Sequence, residues 1–515
     1  MNGRRLAIGV VAALLVATLV TSITLPVRAE ENSAENDGPG LEAQLRKALV
    51  KVHITRQGWQ RYKPWQKLNP VNTWQRGVMV RSGYVMTLAQ GLADHVMIEV
   101  SVANSARRYP ASLKHLDYGA NLALVKIDDL DLAGTMEPIP IGEAMTIDGK
   151  FEAWQIGSSD LVERYTGHVQ KVAPAGNQLR LTAKTNLSDS GNGQVVIQDD
   201  KLVGLVYRVQ SSRQEATIIA QETIQHYLKD YDSGKYRGFG TGPLWYLQLL
   251  RDDFRAYFQV PEDVHGVAIS RVIEDRTGHG ALEAGDVIAT LGGHALDDEG
   301  MFQHPMHGRL HFTYLLYGVP HAGEEVPAKI YRKGEPMDVK VPVRARPLAE
   351  NRVPWALYDL RPKFMVVGGM IILELTRQHR GAFGIAEYQS RNDWDPPTDR
   401  KRIVFLSEVL PDKSNKGLDD LGGDAIATVN GVRITEIADV ARALKAPVDG
   451  YHVFVFEGVN RPYVIKAAQL EEINRRVAET YRVTELQYLG EVEEEPADEP
   501  EEEPEEEPED DGEMK

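Results

Sequence analysis

Apolar and polar residues alternate with a period near two through much of this chain. Val96, Ile98, Val100 and Val102 interleave with Met97, Glu99 and Ser101, the pattern of a half-buried strand whose successive side chains face opposite sides. Short apolar runs recur at 122–127, 151–156, 195–197 and 202–206, and Gly, Asn, Asp and Ser clusters separate them. That punctuation predicts an all-β barrel or sandwich. Two stretches break the period: a short helical pattern from Leu41 and a second over 221–230, followed by a glycine-rich linker at 232–242.

The second half contains a repeat. Gly285-Asp286-Val287-Ile288-Ala289-Thr290-Leu291-Gly292-Gly293 returns as Gly423-Asp424-Ala425-Ile426-Ala427-Thr428-Val429-Asn430-Gly431, identical at six of nine positions. Each copy follows a strand-like run, at 267–272 and 403–409. Gly-Asp turns the chain into a strand, and Asn430-Gly431 is a strong signal for a type I′ hairpin. The repeat predicts two β-rich modules, at 238–347 and 355–488, each of ordinary domain size.

The two ends differ from the body. Arg4 and Arg5 precede an apolar run over 6–20, and Val27-Arg28-Ala29 offers small residues to a signal peptidase. That order predicts a secretory signal over 1–29, cut after Ala29, and a polar linker over 30–40. The alternative is an uncleaved membrane anchor, since residues 6–25 are nearly long enough for the roughly 20 that a span needs. The absence of cysteine excludes a disulfide framework, a thiol nucleophile and a lipid-linked cysteine. Residues 491–515 hold 16 acids and one lysine, a net of −15, so the body carries only −17 − (−15) = −2 of the total. A near-neutral body lacks the basic field that nucleic acid requires. The Glu-Pro tail cannot bury apolar surface and is predicted to be disordered, either as a solvating segment or as a docking element for a basic partner.

These motifs resemble the HtrA/Do-like (Deg) serine proteases, over roughly residues 49–483. Gly-Asp-x-Ile followed by a hairpin is similar to the PDZ signature. The order of one β-domain and two such modules, and the Pro64-Trp65-Gln66-Lys67 stretch, resemble the branch with a divergent second PDZ domain. Ser407-Glu408-Val409-Leu410 and Val429-Asn430-Gly431-Val432 are similar to that branch's last module. The resemblance implies a mainly β chain: a trypsin-like double β-barrel over 41–231, two PDZ-like domains, and the disordered tail. It implies no cofactor and no metal.

The chemistry departs from the family. A serine protease needs a hydroxyl nucleophile, an imidazole base and a carboxylate that fixes the imidazole tautomer. The family's Thr-Asn-Ala-His segment reads Thr87-Leu88-Ala89-Gln90 here, and its acid before Leu-Ala-Leu reads Asn121. An amide has no basic lone pair near neutral pH, and loss of the histidine alone costs about 10⁶ in kcat in a comparable triad. The nucleophile segment reads Asn186-Leu187-Ser188-Asp189-Ser190-Gly191-Asn192-Gly193-Gln194. Aligned on Asn186 and Ser-Gly it keeps Ser190; aligned without a gap from Leu202-Val203-Gly204 it puts Gly191 there. Either way the turn that aims N–H groups at an oxyanion is altered, and Asp189 adds a negative charge beside it. His53 and His95 are weighed as substitute bases and read as structural. His304, His307 and His311, spaced three and four apart, could share a helical face behind Pro305 and are weighed as zinc ligands.

Peptide recognition survives this loss. By the resemblance, the first module's carboxylate loop lies at Thr241, Gly242 and Leu244, with Pro243 close to where a backbone N–H is needed. The second module has no clear glycine loop near 363–369 and fits intramolecular packing or assembly. The sequence reading is an exported, non-catalytic peptide-binding or chaperone-like protein on a degenerate protease scaffold. Its expected partners are unfolded proteins or peptide C-termini, with a trimer-based homo-oligomer by resemblance. The alternatives are an active endopeptidase of protein quality control with an unconventional base, and a structural partner of active homologues.

Overall fold

The structure, a computed structural model, describes residues 40–188, 192–242, 244–345, 350–379, 400–418 and 422–490. The predicted secretory signal over 1–29 and the acidic tail lie outside the described residues. Six strands close the first barrel: β1 (Leu49–Arg56), β2 (Val71–Arg81), β3 (Tyr84–Thr87), β4 (His95–Val102), β5 (Tyr109–Asp117) and β6 (Leu122–Ile127), in the order β1-β2-β3-β6-β5-β4. Six more close the second: β7 (Lys150–Ile156), β8 (Val162–Ala175), β9 (Gln178–Thr185), β10 (Val195–Gln198), β11 (Lys201–Gln210) and β12 (Glu215–Ala220). Their ring order, β7-β8-β9-β12-β11-β10 when read from β7, repeats that of the first barrel.

Strand β6 explains why the central strands read as unbroken apolar runs. Ala123 and Val125 pack inside the first barrel. Leu122 and Leu124 pack on its other face, against Trp154, Val195 and Leu205 of the second barrel. Both faces are covered, so alternation disappears from the sequence. Strand β4 reaches past the barrel at its start: Ile98 and Val100 are buried, whereas Val96 is exposed.

The repeated motif adopts the same bonding in both copies. Gly285 and Gly423 take positive φ of 99° and 102°. The Gly285 N–H donates to Ile269 O and the Gly423 N–H to Leu406 O, both at 2.7 Å. Asn430 and Gly431 are both left-handed, as a type I′ turn requires. In the first module five strands follow the order 245–248, 267–271, 287–291, 325–332 and 335–342. In the second module two four-stranded sheets carry the helices Ile437–Ala443 and Ala467–Tyr481.

The loop between β1 and β2 fastens the second module to the first barrel. Trp65 is buried in that module's core, 5.9 Å from the Phe364 ring. The Arg361 guanidinium lies over both Trp59 (4.5 Å) and Tyr488 (4.4 Å).

Candidate functional site: an amide-lined cleft

Residues 90 and 121 come together where β3 ends and β6 begins. Gln90 opens a 3₁₀ turn (Gln90–Leu92). The turn is fixed from β2, where Gln75 donates to Leu88 O at 2.8 Å and Thr87 Oγ1 donates to Arg76 O at 2.6 Å. A Cβ on Gly91 would lie 1.8 Å from Gln75 Oε1, so a larger residue there would have to displace the Gln75 side chain that holds Leu88 O. Asn121 is buried with a left-handed φ of 54°, a conformation that Asn adopts more readily than most residues. Its Oδ1 accepts from the Gln90 main-chain N–H at 2.9 Å.

The third position is bracketed rather than described, because Asp189, Ser190 and Gly191 lie outside the described residues. On one side, Asn186 Oδ1 accepts from Thr166 N at 2.8 Å. On the other, Gly193 has φ 87°, and a Cβ there would meet Arg76 O at 2.7 Å. Arg76 itself is buried. Gly193, just before β10, therefore lies against β2 of the first barrel.

A cavity of about 910 Å³ is lined by Gln90 and Asn121 and also by Thr241, Gly242 and Leu244 of the first module. The two sets of predicted site residues thus share one cleft. Gly119, Gly176, Gly238 and Gly240 line it beside apolar residues such as Leu116, Pro174 and Phe239, with Asp117, Asn177, Gln178 and Arg180 as polar lining. Asp117 accepts from Ala120 N (2.9 Å) and Tyr236 Oη (2.6 Å). Arg180 donates to Gln178 Oε1 at 2.9 Å and lies over the Tyr207 ring. Tyr358, also lining the cleft, stacks on Tyr118 at 4.3 Å, which brings the segment between the two modules to the rim. Among the described residues no histidine lines this cleft.

The loop amides at 241 and 244 already have partners. Thr241 N–H donates to Arg344 O at 2.8 Å, and Leu244 N–H donates to Tyr317 Oη at 3.0 Å. Burial pushes the Tyr317 hydroxyl well above its ordinary pKa, so it stays protonated. Gly242 packs flat on that ring: a Cβ there would lie 2.1 Å from Tyr317 Oη. Pro243 lies outside the described residues.

A family model described as PDZ domain matches residues 353–487. The chloroplastic Protease Do-like 2 of Arabidopsis thaliana is 24% identical over 449 residues, covering 81% of this chain and 70% of the relative. A probable periplasmic serine endoprotease, DegP-like, of Marinomonas sp. (strain MWYL1) is 24% identical over 390 residues, covering 72% of this chain and 73% of the relative. The chain is a PDZ-containing homologue of the HtrA/Do-like serine proteases. The solved HtrA-type protease AlgW with decapeptide covers 60% of this homologue and 98% of its own chain, at 16% identity and a TM-score of 0.44.

Other histidines of the homologue have partners away from the cleft. His53 Nε2 bonds Ser101 Oγ (2.8 Å), with burial lowering its pKa, and His95 Nδ1 bonds Leu92 O (3.0 Å). His304, His307 and His311 are not on a helix. They belong to a hairpin of Met301–His304 and Gly308–His311, because Gly308 takes φ 69° and closes the turn. The expected shared face is therefore corrected: His307 reaches Glu222 at 2.6 Å, while His311 bonds Tyr246 Oη at 2.7 Å.

Sequence reasoning missed Tyr317, Asp117 and Tyr358 as cleft residues. Asp117 stands four residues before Asn121 in the same segment, and that proximity was the available signal. Tyr317 and Tyr358 reach the cleft only through packing of distant segments.

Proposed function

We propose that this HtrA/Do-like homologue holds polypeptide without cleaving it. The observation that carries this reading is the Gln90–Asn121 amide pair at the expected base and acid positions, in a cleft without histidine among its described lining. Neither amide can take a proton from a serine hydroxyl at neutral pH. The cleft's glycines and polar side chains, with Asp117 and Arg180 already hydrogen-bonded within the wall, suit an extended main chain, which bonds through its own N–H and C=O groups. Occupied amides at Thr241 and Leu244 favour side-on binding of a chain over capture of a terminal carboxylate. The reading places the protein outside the cytoplasm, released by cleavage after Ala29, as a trimer-based assembly that binds unfolded clients. The names of its chloroplastic and periplasmic relatives support that placement.

The test is equilibrium binding of unfolded casein to the wild type, Ser190→Ala and Asn177→Trp. The wild type and Ser190→Ala should bind equally and release intact casein. Asn177→Trp, which fills the cleft, should weaken binding about tenfold. Cleavage that depends on Ser190, or binding indifferent to Asn177→Trp, would contradict the reading.

A further inference from the structure

A second cavity, of about 540 Å³, lies where the β1–β2 loop of the first barrel meets the second module. Arg56, Arg61 and Lys363 line it together with the rings of Trp59, Tyr62 and Tyr358. Lys63 and Lys67 are exposed on the same loop. Arg56 donates to Ala93 O and Arg61 to Gln378 O. Among the described residues none of these five cations has a carboxylate within ion-pair distance, although ion pairs are frequent elsewhere in them. The acids at the rim are already engaged. Glu374 accepts from Ile437 N and faces Arg402, while the Asp94 carboxylate accepts from Asp359 N and the Asp359 carboxylate accepts from Asp94 N. The groove is thus an aromatic surface in which Arg56, Arg61 and Lys363 outnumber the lining carboxylates Asp94 and Glu374, both of which accept hydrogen bonds from other groups.

The described chain ends at its edge. Gln487–Tyr488 pairs with Phe364 and Met365, and a Cβ on Gly490 would lie 2.9 Å from Lys363 Cε. The next residue is Glu491, the first of the 16 acids, with prolines following at 496, 500, 504 and 508. An extended proline-containing segment advances about 3.1 Å per residue, so residues just beyond Gly490 are within reach of the groove that Lys363 lines. Such segments dock on aromatic rings, and carboxylates pair with arginine and lysine. Covalent linkage supplies an effective concentration of order mM, which favours this occupant over an acidic partner in solution.

We propose that the acidic Glu-Pro segment 491–515 docks in this groove of its own chain through salt-sensitive charge pairing. Because the chain has no cysteine, Ala497→Cys gives a single labelling site that leaves the charge unchanged. The full chain carrying bimane at that site reports contact with Trp59, since bimane is quenched by touching tryptophan.

Seating predicts at least twofold quenching at low salt, lost in Trp59→Phe. It should also be lost at 1 M salt, where the screening length is about 3 Å, and in Arg61→Glu/Lys363→Glu. The charge-keeping Arg61→Lys should retain it. Quenching that survives 1 M salt or the charge reversals would be chance contact of a tethered chain and would overturn the proposal. Quenching that grows with protein concentration would assign the groove to another copy and overturn it equally.

Discussion

The side-chain oxygen of Asn121 accepts from the Gln90 main-chain N–H at 2.9 Å, a bond that an aspartate would make equally well. An aspartate's second oxygen could also accept from an imidazole, whereas Asn121 presents an NH₂ donor there. On the proposed reading the turn is kept and the proton chemistry is removed. Tyr317 applies the same logic to the loop at 241–244, because its hydroxyl occupies the Leu244 N–H that a terminal carboxylate would need. Tyr317→Phe leaves that N–H without a partner, and a buried orphan donor costs about 1–3 kcal/mol. Denaturant unfolding should register that loss. Calorimetric titration should also show a several-fold preference for peptides with a free C-terminus over amidated ones. Equal binding of the two forms by the variant would mean that Tyr317 does not gate the loop.

Helix Gln221–Asp232 forms the joint between the second barrel and the first module, and it sets a pH response. His226 stacks on Phe239 at 4.1 Å and lies 3.9 Å from the His321 ring. Burial, then the neighbouring His321, pushes its pKa down to about 4, although Asp230 and Glu324 oppose the shift. A histidine neutral in the fold and free to protonate when unfolded gives the unfolded state more protons between its ordinary pKa near 6.5 and about 4. Stability should therefore fall as pH drops through that window. His226→Phe, which keeps the ring stack, should flatten the melting-temperature profile there. An unchanged slope would place the acid sensitivity elsewhere, with His379, also held near 4 by burial, as the next group to test. At this scale the sequence was partly legible. The Gly-Asp repeat foretold matching turns because glycine at positive φ leaves a local signature. The 304/307/311 spacing misled because i, i+3 and i+4 pairs suit a helix, yet Gly308 closes a hairpin instead.

Across the whole molecule, the order of two barrels before two β-modules was readable from strand alternation, the repeat and the family motifs. Convergence of Gln90 with Asn121 followed from those motifs, although 31 positions separate the two in the chain. The meeting of that pair with Thr241, Gly242 and Leu244 in one cleft was not readable. It depends on how the first module packs on the barrels, and no local pattern encodes that packing. The same holds for Trp65. Its Pro-Trp-Gln stretch was recognisable as a motif, but its burial beside Phe364, some 300 residues away, is a tertiary fact.

The account stands on the claim that this scaffold does not activate a serine. Fluorophosphonate labelling of the wild type, Ser190→Ala and Gln90→His/Asn121→Asp tests it directly, since the probe reacts with an activated hydroxyl and needs no knowledge of substrate. The wild type should label no faster than Ser190→Ala. The double variant regains a base and its orienting carboxylate but keeps the Ser188-Asp189-Ser190 segment, where one lost oxyanion donor costs about 10² to 10³ in kcat. It should stay far below an active relative. Rapid labelling of wild-type Ser190 would contradict the account outright, and full activity in the double variant would show that the segment around Ser190 is intact.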